Sequence, residues 1–184
     1  MSPPSPRGGA RARLTALLPA VGLLLCACAG LHGSLSNAPE GVPSGREGWL
    51  RYALAELRFE APATWTRSGA PHHLRLERPE GDARLEVSSP EVPFADASAC
   101  LADAEKLMRR GEGMERVRSH PTRFAGMRAL SLEGDQNGWH VWAWVACDGG
   151  VQYQVFLTAQ SPAPAEAVDE YRALTAGARV GGEA

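Results

Sequence analysis

Three residue types in this 184-residue chain could carry chemistry: four cysteines, five histidines and five tryptophans. Cys26 and Cys28 stand one residue apart in the run GLLLCACAG, Gly22 to Gly30. Such a pair could ligate a metal, cycle between thiol and disulfide, or mark the end of a segment that is cut off. Cys100 and Cys147 are the other two cysteines. An even pair becomes a disulfide in an oxidising compartment and stays as two buried thiols elsewhere. His72 and His73 are neighbours, so in a strand their side chains leave opposite faces and cannot share one ion. His140 could join one of them, but no ligand spacing supports it, and surface histidines are the plainer reading. Trp139, Trp142 and Trp144 crowd into one short segment. No nucleophile elbow, H-E-x-x-H, phosphate loop or dinucleotide glycine signature is present. No catalytic residue, metal or cofactor is therefore assigned, and the expected class is a protein that is not an enzyme.

The flanks of Cys28 decide among the readings of the first pair. MSPPSPRGGARAR carries Arg7, Arg11 and Arg13 and no acid, and Leu14 to Leu25 is an apolar run too short to span a bilayer permanently. A basic region, a short apolar run and small residues make a secretory leader. Leu25-Cys26-Ala27-Cys28 resembles the lipobox of bacterial lipoproteins: an aliphatic residue, two small ones and a cysteine. Cys26 fits poorly as the modified residue because Leu25 before it is bulky, whereas Ala27 before Cys28 fits. The resemblance implies that Cys28 receives a diacylglyceryl group and that signal peptidase II cuts before it. Two or three acyl chains hold a protein firmly, at about 0.8 kcal/mol per buried CH₂. Ala29 follows instead of the Asp that retains lipoproteins at the inner membrane in well-studied Gram-negative families, which implies the outer membrane. The expected organisation is a leader over 1–27, a lipidated Gly/Ser/Pro-rich tether over 28–46 and one domain over 47–184.

The whole chain has 19 basic and 21 acidic residues. Loss of Arg7, Arg11 and Arg13 with the leader leaves 16 against 21, a formal charge of −5. That balance, in which no basic stripe stands out, excludes a nucleic-acid partner. The expected partners are the membrane, through the anchor, and an envelope protein or glycan.

The elements that must position these residues follow from periodicity. Leu57 to Pro62, His72 to Pro79 and ARLEVSS alternate apolar and polar residues, as half-buried antiparallel strands do. Ala97 to Arg110 changes to helical spacing, with Cys100, Leu101, Ala104, Leu107 and Met108 on one face, Asp96 or Ser98 as cap and Gly111 as stop. Strands resume in MERVRSHPTRF and MRALSLEGD. Gln136-Asn137-Gly138 turns the chain into WHVWAWVAC, and Asp148-Gly149-Gly150 turns it again into VQYQVFLTA. A last helix is expected from about Ala163 to Ala176, with Pro162 at its start and Val168, Tyr171 and Leu174 on its apolar face. The class is α+β: an antiparallel sheet packed by a mid-chain helix and a C-terminal helix.

That layout, together with the APATW segment carrying Pro62 and Trp65, resembles the PsbP-like/Mog-like fold over about Leu50 to Val180. The resemblance implies a binding or assembly role and brings no functional residues with it. Alternation puts Val141, Ala143, Val145 and Cys147 on the expected core face of their strand, and His140, Trp142 and Trp144 on the other. Phe156, with Gln152 and Gln154, is expected beside the two tryptophans. Trp142, Trp144, His140 and Phe156 are thus the candidate docking surface, unless a helix covers them as a second core. A helix packed on the Val141–Cys147 face would join Cys100 to Cys147. The rival reading is a cell-envelope hydrolase, which a pocket joining a histidine to a carboxylate would favour; a purely structural envelope protein is the third.

Overall fold

The computed structural model describes residues 37–94, 96–109 and 115–181. The expected leader over 1–27, Cys28 and Gly111 lie outside the described residues. Among the described residues, no helix is long and apolar enough to cross a membrane.

The chain folds into two antiparallel sheets and two helices. Strands β1 (Val42–Pro43), β2 (Trp49–Leu54), β3 (Leu57–Pro62) and the late β11 (Arg179–Val180) form a small sheet in the order β1-β2-β3-β11. A seven-stranded sheet has the order β4-β5-β6-β10-β9-β8-β7. Its strands are β4 (Thr66–Ala70), β5 (His73–Glu77), β6 (Ala83–Ser88), β7 (Glu115–Phe124), β8 (Met127–Gln136), β9 (Trp139–Asp148) and β10 (Val151–Gln160). Helix α1 (Ala97–Arg109) separates β6 from β7, and α2 (Ala165–Gly177) follows β10. Strand β4 carries no alternation that sequence could reveal; it exists because β5 offers it a ladder, from Thr66 opposite Glu77 to Ala70 opposite His73.

Alternation in β5 and β6 behaves as expected: Leu74, Leu76, Leu85 and Val87 are buried while the residues between them are half exposed. The helix start also follows local rules. Asp96 Oδ2 accepts the backbone N–H of Ala99 at 2.9 Å, so Asp96 rather than Ser98 is the cap. The last helix begins at Ala165, with Pro164 at the cap position, slightly later than the apolar pattern suggests. The folded domain starts before residue 47. Ala38 is buried and Val42–Pro43 pairs with β2, so part of the expected tether belongs to the sheet.

The hairpin turns are tighter than the sequence implied. Asn137 and Gly138 alone form the β8–β9 turn, and both have positive φ, 51° and 82°. Gly149 and Gly150 alone form the β9–β10 turn, with φ of 55° and 83°. Two central residues with positive φ make the turn whose twist matches paired strands, and Asn-Gly and Gly-Gly adopt it at low steric cost. Gln136 therefore pairs with Trp139 and Asp148 pairs with Val151. Expecting three-residue turns moves each register by one, and a slip of one residue changes which side chains share a face.

One face of the large sheet packs on the small sheet and α2. Its core joins Leu74, Leu76, Leu85, Val87, Val155 and Leu157 to Tyr52, Leu54, Leu57 and Phe59 from β2 and β3, and to Ala167 and Leu174 from α2. The other face meets α1, where Cys100, Ala104, Val145 and Cys147 form a second, smaller cluster. Both faces of β9 are therefore covered.

Candidate functional site

The expected disulfide is present. Cys100 and Cys147 are bonded, their Cα atoms 6.3 Å apart. Each belongs to the apolar side of its own element, one on α1 and one on β9, and packing of the helix on that face brings them together.

The tryptophan strand is placed differently. Trp142 and Trp144 leave β9 on the face that meets the main core, not away from it. Tyr171 of α2 lies over both, with ring centroids 5.1 Å from Trp142 and 5.1 Å from Trp144, in stacked orientation. Phe124, at the end of β7, stacks on Trp144 at 5.9 Å. Of the two readings of this face, an outer docking surface or a second core under a helix, the fold shows the covered one, because α2 closes over it. Phe156 does not join the group. It stands opposite Ala143, and Gln152 opposite Cys147, so these residues lie on the α1 side of the sheet. Trp142 and Trp144 face Leu157 and Val155 instead.

His140 does stay with the tryptophans, its ring 4.3 Å from that of Trp142 in an edge-on contact. The β8–β9 register also brings two carboxylates to it. His140 Nδ1 lies 2.9 Å from Asp135 Oδ1, and Nε2 lies 3.1 Å from Glu133 Oε1. Carboxylates only accept, so both bonds form together only when both ring nitrogens carry protons. The carboxylates hold opposite edges of the ring and do not converge on a common point where an ion would sit. Glu133 and Asp135 were readable as residues of one strand face. Their meeting with His140 was not, since it depends on the two-residue turn. Burial pushes the Tyr171 hydroxyl well above the usual phenol range, and the nearby Glu133 charge adds to this.

A serine and a histidine also approach each other on this side. Ser131 Oγ is 3.0 Å from His120 Nε2, but also 3.3 Å from the His120 carbonyl oxygen. When the hydroxyl donates to that carbonyl, its proton is not available to the ring, and Nε2 acts as the donor. The geometry is that of a strand-to-strand tie rather than an activated nucleophile. The His140–carboxylate group likewise sits outside two open cavities found among the described residues. One, of about 250 Å³, lies between α1 and the β7–β8 hairpin, against Leu101, Glu105, Pro121, Arg128 and Leu130. The other, of about 290 Å³, lies beside Glu40, Leu50, Tyr52, Trp65 and Arg67. His72 and His73 remain at the far side of the large sheet, His73 pairing with Ser88.

A second polar group holds α2 from its other side. Arg78 approaches Glu170 of α2 at 3.6 Å, Asp82 at 3.3 Å and Glu80 at 3.6 Å. Burial raises the Glu170 carboxyl above its ordinary range, against the opposing effects of Arg78 and of a hydrogen bond from Trp65. A raised carboxylate favours the folded state fully below its unfolded pKa, and loses that contribution as pH rises through the folded value. Glu170→Gln mimics the protonated form. It is expected to raise the melting temperature at pH 7, and to lose that advantage below about pH 4, where unfolded glutamates protonate. Thermal melts across that range check it; a lower melting temperature for the Gln variant at pH 7 would show that the pairing with Arg78 outweighs burial.

No protein-family model matches the chain, and no curated protein matches it either. Solved structures do. The chain is similar to CyanoP, the cyanobacterial PsbP of Synechocystis sp. PCC 6803, with 15% identity and a TM-score of 0.52 over 77% of this chain and 98% of that one. A protein of Bacteroides thetaiotaomicron is 10% identical, with a TM-score of 0.48 over 70% of this chain and 46% of that one. LpqN, involved in cell envelope biogenesis of Mycobacterium tuberculosis, is 13% identical, with a TM-score of 0.49 over 79% and 91%. At these identities the likeness concerns the fold, which is α+β and PsbP-like, as the order of elements suggested.

Proposed function

We propose that this protein is a lipoprotein of the cell envelope, held in the outer membrane by acyl chains on Cys28, and that its domain is a non-enzymatic binding or assembly module. The observation that carries the reading is the Cys100–Cys147 bridge. Disulfides persist in oxidising compartments outside the cytosol, which is where a leader ending in a lipobox would send the chain. Ala29 after Cys28 supports the outer membrane. The PsbP-like fold supports a binding role, and the groove between α1 and β7–β8 offers a surface for it. The tryptophans do not, because Tyr171 and the core occupy them.

Replacement of the acylated residue tests the anchor. Cys28→Ser is expected to abolish incorporation of radiolabelled palmitate and to leave the leader uncleaved or the protein mislocalised. A wild-type chain whose mature N-terminus lies elsewhere and is unmodified, by mass spectrometry, would overturn the reading.

A further inference from the structure

The charges of this domain are sorted by position. Residues 106–128 contain seven basic side chains (Lys106, Arg109, Arg110, Arg116, Arg118, Arg123 and Arg128) and two acids, Glu112 and Glu115. The remainder of the chain after Ala27 has 9 basic against 19 acidic residues. Along the sequence these arginines are too widely spaced to read as a stripe. In the fold Arg118, Arg123 and Arg128 come to one end of the large sheet, because β7 is its edge and β8 is its neighbour.

Arg118, Arg123 and Arg128 are all exposed. Arg118 belongs to one face of the edge strand, opposite Glu133, whereas Arg123 stands directly opposite Arg128 on the other face. Like charges facing each other across a strand pair are unfavourable unless an anion lies between or beyond them. Arg123 donates to the Gly126 carbonyl and Arg128 to the Ser98 hydroxyl; among the described residues, no carboxylate pairs with any of the three. Leu107, expected on the buried face of α1, is 59% exposed; it turns away from Ser98, Leu101, Ala102 and Glu105, which line the groove against β7 and β8, and does not belong to this rim.

This rim is poorly suited to adding a strand from another protein. Pro121 lacks an N–H to donate, and the ladder is irregular between Glu115 and Arg118; both features blunt an edge. Guanidinium groups spread over both faces of an edge suit a broad anionic surface instead. The anchor permits the contact. The described chain begins at Asn37 beside β4, where Arg67 reaches back to Ala38 and Pro39. Strand β4 is the opposite edge, six strand spacings or about 29 Å from β7. Nine peptide steps separate Cys28 from Asn37 and reach about 30 Å when extended.

We propose that the β7 rim docks on an anionic lipid bilayer, with lipid phosphates at Arg118, Arg123 and Arg128. The geometry rests on the lipid-anchored reading, but the contact itself is tested without the acyl chains. The chain from Ala29 onward, without leader or acyl chains, is incubated with vesicles of phosphatidylcholine alone or with 30 mol% phosphatidylglycerol, at about 10 mM and 500 mM salt; the second salt level shortens the screening length to a few ångströms. Binding to the phosphatidylglycerol vesicles at low salt is expected to fall roughly fivefold for each arginine changed to Gln, and on the order of a hundredfold for Arg118→Gln/Arg123→Gln/Arg128→Gln. High salt should erase the difference. Circular dichroism confirms that the triple variant, altered only at exposed positions, is folded. Equal binding of the triple variant, or no preference for phosphatidylglycerol, overturns the proposal. Arginine-dependent binding to polyglutamate without binding to vesicles would assign the rim to an acidic protein instead. Loss of palmitate labelling with intact vesicle binding, or the reverse, separates failure of one reading from failure of the other.

Discussion

Trp142→Ala and Trp144→Ala are each expected to destabilise the domain by about 3 kcal/mol, the lower end of the range for truncating a large core aromatic. The lower end applies because both indoles are only partly buried. Each change removes a ring stacked on Tyr171, and the Trp144 change also strips Phe124 of its partner. Stacked aromatic pairs add about 0.5–1.5 kcal/mol beyond the area they bury. The two losses will not add independently, since both tryptophans rest on the same tyrosine. Even so, the double variant should approach the whole stability of an ordinary domain, about 5–15 kcal/mol, and unfold or melt near ambient temperature. Urea denaturation followed by circular dichroism measures this. Tyr171→Phe keeps the stacked ring and should cost far less than Tyr171→Ala. A double tryptophan variant with a wild-type midpoint would return the aromatic strand to the role of a docking surface.

Cys100→Ala/Cys147→Ala is expected to cost about 4 kcal/mol in the chain-entropy model, an upper figure because measured gains are often smaller. The bridge spans a sequence separation of 47 residues and encloses most of α1, all of β7 and β8 and nearly all of β9. Its loss frees a long loop in the unfolded chain and loosens α1, whose cluster on the sheet is small: Cys100, Ala104, Val145 and Cys147, with partly buried neighbours. The sulfurs sit in nearly closed surroundings, Cys100 at 0% and Cys147 at 6% exposure. A reductant should therefore act mainly through opening of the helix, and slowly. Alkylation of unfolded, unreduced protein followed by peptide mass spectrometry is expected to leave both residues unlabelled. Labelling of both would show that they are free thiols in the protein as isolated.

The two predictions bear on residues that periodicity singled out and could not assign alike. Cys100 was legible because it belongs to a helical apolar stripe and Cys147 to a strand alternation, and each pattern points to burial by itself. Trp142, Trp144 and His140 were legible as one face of β9. That alternation defines two faces and does not say which neighbour each one meets. The small residues Val141, Ala143 and Val145 read as core and are buried, but on the α1 side of the sheet, where Val145 joins the helix cluster; the tryptophans pack on a larger core that comprises the small sheet and α2. Phe156 was misplaced for a related reason. One residue fewer in the β9–β10 turn moves it across the sheet, because side chains alternate with a period of two.

By itself the sequence determined the strands of clear alternation, the capped start of α1, the α+β class and the acidic balance of the chain after Ala27. These follow from local rules: periodicity, capping and turn chemistry act within a few residues. Only the tertiary structure decided that β2 and β3 leave the main sheet to form a second one with β11, that α2 closes over Trp142 and Trp144, that His140 meets Asp135 and Glu133, and that scattered arginines share one edge. The physical reason is that hydrophobic burial has no direction of its own. It rewards covering an apolar face without specifying the cover, so the choice falls to register, strand order and the fit of segments distant in the chain.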